Sequence, residues 1–432
     1  MEELARESIS LLARSASHAD PPRLGPFGAV FIMLKSALGA GLLSFPWAFQ
    51  KAGGVITAIS VELVSLIFLI SGLVILGYTS SVSRQTTYQD VVREVCGQAV
   101  GQLCEVCFCF NLFMVCVAFL VVVQDQLDKC ESSHTGEMPY HWYTDQRFAL
   151  FIMCLVIILP LSIPKEIGIQ KYTSVLGTLA ATYLCVAVIV KYFLMAINVC
   201  VCSVSFSVSL WTSMFSVVPT ICFGFQCHEA CIAIYSSMEN QKLSHWVFIA
   251  VVSMFFCLLI YTLTGVYGFL TFGQDVASDI LMSYPGNDVV MIISRLLFGI
   301  SIITIYPIIL LLGRSVILNL MLRVQRQHRG TVTQSFESRC RVVLTVIWIA
   351  ITLLIAMFVP DMGKVISVIG GISSFFIFIF PGLCLVFIMQ TENVTPRVRV
   401  SLTVWGVITI VVGAFVFGQS TTIAVIQIFY SF

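Results

Sequence analysis

Long apolar runs separated by short polar intervals fill the chain from about residue 26 to its end. A window of ~19 residues marks spans at 27–50, 54–80, 102–126, 147–164, 171–196, 208–237, 245–271, 288–318, 341–360, 363–389 and 400–430. The pattern predicts eleven membrane-crossing helices and leaves no interval long enough for a sizeable soluble domain. Two of these spans should not be plain helices. In the first, Leu34-Lys-Ser-Ala-Leu-Gly-Ala-Gly-Leu-Leu-Ser-Phe-Pro46 puts Gly39, Gly41 and Pro46 at membrane depth. Glycine has no Cβ and proline donates no N–H, so the helix loosens over 38–42 and leaves backbone groups unpaired. Bare backbone at that depth must be buried in protein or line a cavity. The sixth span repeats the device: Val218-Pro-Thr-Ile-Cys-Phe-Gly-Phe-Gln-Cys-His-Glu229 carries Pro219 and Gly224, followed by two ionisable side chains.

Composition agrees with the pattern. Hydrophobic residues make up 58% of the chain and charged ones 10%, against about 25% charged in a soluble domain. The net charge of +1 speaks against a nucleic-acid partner. The segment before residue 26 mixes Glu2, Glu3, Glu7, Arg6 and Arg14, so no cleavable signal peptide is expected. Lys and Arg concentrate in the loops after the even-numbered spans, in Arg84 and Arg93, Lys165 and Lys171, Lys242, the group from Arg314 to Arg341, and Arg397 and Arg399. The alternate loops hold mostly Asp and Glu. Cationic loops face the cytoplasm, which predicts a cytoplasmic N-terminus and, for an odd span count, an extracellular C-terminus.

Spans one and six are five apart. Five helices per half is odd, so the second half must enter the membrane from the opposite side, the inverted repeat of LeuT-type transporters. The expected fold is an all-α polytopic membrane protein with a 5+5 repeat: 1–25 a cytoplasmic segment, 26–196 and 208–389 the two five-helix repeats, and 400–432 an eleventh helix. Paired broken helices of this kind hold a small polar solute near the bilayer midplane. The plainer reading is that the glycines only let helices pack closely. An enzyme is not expected, because the chain shows no GxSxG elbow, paired carboxylates or His-rich metal spacing. Channels need pore-lining carbonyl loops or charge rings. A sensor using the same site is the alternative.

Several stretches then point to a family. Lys35-Ser-Ala-Leu-Gly-Ala-Gly-Leu-Leu-Ser-Phe-Pro-Trp-Ala-Phe, Ser71-Gly-Leu-Val-Ile-Leu-Gly-Tyr, Tyr88-Gln, Gln170-Lys-Tyr-Thr-Ser, Phe223-Gly-Phe-Gln-Cys-His-Glu, Thr264-Gly-Val-Tyr-Gly-Phe-Leu-Thr-Phe-Gly and Val365-Ile-Ser-Val-Ile-Gly-Gly-Ile-Ser-Ser-Phe resemble the sodium-coupled neutral amino acid transporters of the amino acid/auxin permease branch. The resemblance runs from Gly28 to Phe417. It implies multi-pass residence in the plasma membrane, alternating-access symport of small neutral or amide amino acids such as glutamine and alanine, and sodium as the coupling ion. No cofactor and no obligate protein partner beyond the lipid bilayer are expected.

An α-amino acid brings a carboxylate and an ammonium. The free N–H groups of Gly39, Ala40, Gly41 and Leu42 suit the carboxylate, and carbonyls around Phe223, Gly224 and Phe225 suit the ammonium. For sodium, the resemblance implies a site between spans one and eight. Ser301 and Thr304 share one helix face, and with Ser36 they supply the oxygen donors a hard cation prefers. Ser and Thr in membrane helices also commonly bond back to their own carbonyls. Lys35 stands where sodium-coupled relatives usually carry Asn, so its ammonium is a candidate for the cation site itself, with proton coupling as the alternative. Glu62 lies at similar depth and is predicted to pair with Lys35; the alternative is that Lys35 snorkels to the interface. His228 and Glu229 are candidates for pH sensing or gating, against the plainer reading of a buried packing histidine. Cys130 on the outside is a candidate to bridge Cys200 or Cys202.

Overall fold

The computed structural model describes residues 25–134, 146–164, 170–196, 215–329, 334–359 and 361–429. Among them there is no β-strand. In chain order the helices are α1 (Pro26–Ala37), α2 (Phe45–Lys51), α3 (Val55–Ser83), α4 (Tyr88–Cys96), α5 (Gln98–His134), α6 (Gln146–Met153), α7 (Leu159–Ser162), α8 (Gln170–Ala196), α9 (Val218–Gly224), α10 (His228–Ser237) and α11 (Leu243–Phe272). There follow α12 (Ile280–Ser283), α13 (Val289–Arg329), α14 (Gln334–Phe358), α15 (Met362–Ser374), α16 (Phe380–Thr391) and α17 (Pro396–Phe429). Short π segments, Cys154–Ile158 and Phe375–Ile379, join α6 to α7 and α15 to α16.

Among the described residues eight spans are long and apolar enough to cross a membrane, counting α15, its π segment and α16 as one, or nine with the bent pair Pro26–Ala37 and Ala40–Lys51. Gln146–Ser162 and the interrupted pair α9 and α10 are shorter than a continuous span, so length and composition alone do not reach the expected eleven. The amphipathic helix α4 escapes a hydropathy window because it is short and half polar. Its start is marked instead by Thr87, whose hydroxyl accepts from the Asp90 N–H at 3.3 Å.

Both expected interruptions are present. Pro26 stands in the first turn of α1, where a missing N–H costs nothing. The helix ends as Leu38 swings to ψ 100°, and Gly39 continues extended. A 3-10 turn, Ala40–Ser44, then leads into α2, with Pro46 in its first turn. The two halves meet at 50°. After α2, Gly53 (φ 82°) and Gly54 (φ 132°) occupy backbone regions that side chains rarely tolerate, turning the chain into α3. In the sixth span, α9 stops at Gly224, and Phe225, Gln226 and Cys227 carry the chain to α10.

The interior of the bundle is apolar, and so is much of its outside. Phe27, Ile56, Val156, Leu296, Val407 and Phe415 are all exposed. In water such a surface would be an interaction liability; against lipid it is the expected face. Exposure also ranks the helices. The span Met362–Thr391 is 72% buried, whereas Pro396–Ile426 is 22% buried, so α15 and α16 lie inside while α17 lines the edge. α9 packs on α15, and α11 packs on α1, α2, α3 and α8. Both interruptions therefore sit at the centre.

Candidate functional site

The two breaks touch. A Cβ added to Gly41 would lie 2.7 Å from Cα of Gly224, so only glycine at 41 admits this approach of the two backbones. The same addition at Gly224 would meet the Phe45 ring at 2.6 Å. Ala40, Gly41, Leu42 and Phe223 to Phe225 are all buried, while Gly39 has open space beside its Cα. The first N–H groups of a helix have no intrahelical acceptor; here these belong to Ala40 and Gly41, whereas the expected free N–H of Leu42 donates to the Gly39 carbonyl at 3.1 Å, as the tighter 3-10 turn requires.

Tyr261 of α11 joins the two breaks. Its hydroxyl lies 2.7 Å from the Ala37 carbonyl, at the end of α1, and 2.8 Å from the Gly224 carbonyl, at the end of α9. The ring is fully buried. It stacks on Phe45 at 4.2 Å and 13° and leans on Phe225 at 4.8 Å. The carbonyls are available because each closes a half-helix and has no next turn to serve.

A polar chain crosses the second break. Asn111 of α5 donates to Glu229 Oε1 at 2.7 Å, and Gln226 Nε2 donates to the same oxygen at 3.1 Å. Ser373 of α15 donates to Gln226 Oε1 at 2.6 Å or to its own Ile369 carbonyl at 2.8 Å. Asn111 Oδ1 is buried without a hydrogen-bond partner. Glu229 and Gln226 are only half-buried, so the chain borders open space. One residue past Ser374, the π segment begins. Such bulges free a carbonyl, and the Tyr88 hydroxyl donates to that of Phe376 at 3.0 Å.

The other candidates are placed less tightly. Glu62 does not pair with Lys35 in this structure: Thr262 Oγ1 donates to its Oε2 at 2.8 Å, and its Oε1 is buried with no hydrogen-bond partner. Depth along two helices predicted the pair. The azimuth of Glu62, which faces α11, decided otherwise. Lys35 is half-buried near the end of α1. His228 is fully buried, and its Nε2 lies 3.0 Å from the Leu69 carbonyl. Since a carbonyl only accepts, Nε2 carries the proton, and the ring tethers α10 to α3. Ser36 Oγ donates to its own helix at Met33 or Ile32, 2.9 and 3.1 Å away, and Thr304 Oγ1 does the same at Ser301 or Ile300. Ser301 faces α8, where a Cβ on Gly177 would lie 3.4 Å from its Oγ; α8 packs against both α1 and α13. Cys200 and Cys202, and the side chain of Cys130, lie outside the described residues.

Sequence reasoning missed Tyr261, Thr262, Asn111, Gln226 and Ser373. A visible signal existed for some of them, since Asn111, Tyr261 and Thr262 are polar positions inside otherwise apolar runs.

Two interrupted helices crossing at their breaks inside an all-helical, lipid-faced bundle define a membrane carrier rather than an enzyme. The chain belongs to the family described as transmembrane amino acid transporter protein, which matches residues 23–426. It is 63% identical over 441 residues, the whole of both chains, to a Xenopus tropicalis protein whose name includes sodium-coupled neutral amino acid transporter 8. It is 57% identical to human solute carrier family 38 member 8, across 94% of this chain and 95% of that one. It is 44% identical to sodium-coupled neutral amino acid transporter 7 of Danio rerio, across 95% and 89%. The crystal structure of MhsT in complex with L-phenylalanine superposes with a TM-score of 0.56 at 13% identity, covering 91% of this chain and 99% of that one. That likeness bears out the LeuT-type fold.

Proposed function

We propose that this chain takes up small neutral amino acids, glutamine and alanine among them, across the plasma membrane by alternating access with sodium as the coupling ion. It does so with its N-terminus in the cytoplasm and its C-terminus outside, using two inverted five-helix repeats, 26–196 and 208–389. The direct contact of the breaks, Gly41 on Gly224, carries the reading. One solute there meets N–H groups from the first break and carbonyls from the second. The N–H groups of Gly39, Ala40 and Gly41 bind the carboxylate, because an anion is stabilised at the start of a helix; that of Leu42 is already given to the Gly39 carbonyl. The carbonyls of Phe223, Gly224 and Phe225 take the ammonium. Asn111, Gln226 and Glu229 border the same break and suit the amide of a glutamine side chain.

Sodium, as a co-transported substrate, would be held by Ser36, Ser301 and Thr304. The hydroxyls of Ser36 and Thr304 spend their protons on their own helices, which leaves lone pairs for a hard cation. Lys35 keeps a second reading open, in which its ammonium replaces one bound cation and a proton drives transport. Purified protein in vesicles decides between them. Concentrative uptake of labelled glutamine with an inward sodium gradient, and none with a proton gradient alone, supports the proposal. Uptake indifferent to sodium overturns the coupling, and failure to concentrate any neutral amino acid overturns the function.

A further inference from the structure

The Tyr261 hydroxyl has one hydrogen and faces two carbonyls, those of Ala37 and Gly224, at 2.7 and 2.8 Å. Carbonyls only accept, so at any instant one of these contacts joins two oxygens with no proton between them. In a fully buried position that is a partly unmet demand for donors, which raises the energy of the arrangement. A primary ammonium has three N–H groups. Charge-assisted N–H to O contacts run at about 2.7–2.9 Å, the same separations the Tyr261 oxygen keeps. An ammonium nitrogen placed where that oxygen sits would satisfy both carbonyls at once.

We propose that the Tyr261 hydroxyl is a placeholder for the substrate's ammonium. It holds the ends of α1 and α9 in the substrate-free protein, and the amino acid binds by displacing it. The inference rests on the amino acid site proposed above. The Tyr261 ring lies in ordinary contact range of Gly224, 3.6 Å from where a Cβ would stand, whereas the Phe45 ring would meet that Cβ at 2.6 Å. Phe45, stacked on the ring, and Phe225, tilted against it, are the apolar neighbours it must move past. Tyr261 thus acts as a positioning residue that sets apparent affinity, because every binding event works against its two contacts.

The test has two arms. Tyr261→Phe removes the competing oxygen and keeps the ring, so KM for alanine falls about threefold to tenfold, the worth of a typical buried hydrogen bond. A hydroxyl that merely braced the fold would give the opposite sign, a KM unchanged or raised, and that result overturns the proposal. Should the variant fail to fold, a structure of the wild-type protein with glutamine bound decides. The expected result is the Tyr261 oxygen more than about 3.5 Å from both carbonyls, beyond hydrogen-bond reach, with the substrate nitrogen in its place. Glutamine between the breaks beside an intact Tyr261 bridge overturns the placeholder alone; glutamine bound elsewhere overturns the site as well.

Discussion

The two interrupted helices solve the same problem with different materials. The first break, Leu38 to Leu42, has no polar side chain and meets the second through backbone alone: Gly41 lies against Gly224, and one Tyr261 hydroxyl faces the carbonyls of both Ala37 and Gly224. The second is held by side chains, with Gln226 and Glu229 tied to Asn111 and Ser373, and His228 tied to Leu69. Bare backbone suits what all α-amino acids share, and its geometry leaves little room for variation. Side chains around the second break can differ without disturbing that contact, so they suit the part of a substrate that varies.

The largest effect should come from the first break. Gly41→Val places a branched side chain where even a methyl group would overlap Gly224. Overpacking of this kind costs about 1–3 kcal/mol, so uptake normalised to surface expression should fall by up to about a hundredfold. Retention of half the wild-type rate would show that the breaks do not need to touch. At the second break, Glu229→Ala removes the oxygen to which Asn111 and Gln226 both donate. Each hydrogen bond lost is worth about 0.5–1.5 kcal/mol, so KM for glutamine should rise about tenfold, with a smaller rise for alanine. Equal shifts for both substrates would remove the division of labour between the breaks.

Smaller effects test what surrounds the breaks. Thr262→Val leaves the buried Glu62 carboxylate without its one observed donor. An unmet buried acceptor costs about 1–3 kcal/mol, which should appear as a lower Tm in detergent while substrate selectivity stays unchanged. His228→Asn should lower stability by about 1 kcal/mol and leave the pH profile of uptake as it was, since the ring is fully buried and tied to a carbonyl. A displaced profile would restore His228 as a pH sensor.

The two breaks also differ in how legible they were. Gly39, Gly41 and Pro46 announce the first, and Pro219 and Gly224 the second, because glycine and proline act on the backbone wherever they stand. The residues that complete the site do not announce themselves. Tyr261 lies 224 positions from Ala37 and 37 from Gly224, and Ser373 lies 147 from Gln226. No periodicity links positions so far apart; only the packing of α11 on α1 and of α15 on α9 brings them together. Glu62 shows the limit from the other side. Counting residues from the surface fixes how deep a side chain sits, but not which neighbour it faces, and so the expected partner Lys35 gave way to Thr262.

The central claim is that one solute bridges both breaks through its two charged ends. Competition against labelled glutamine uptake by glutamine methyl ester, which lacks the carboxylate, and by the deaminated acid, which lacks the ammonium, tests it most directly. The account predicts that each analogue competes at least about a hundredfold more weakly than glutamine, since each forfeits charge-assisted bonds worth roughly 1.5–3 kcal/mol apiece. An analogue that lacks one charged end yet competes as well as glutamine would contradict it.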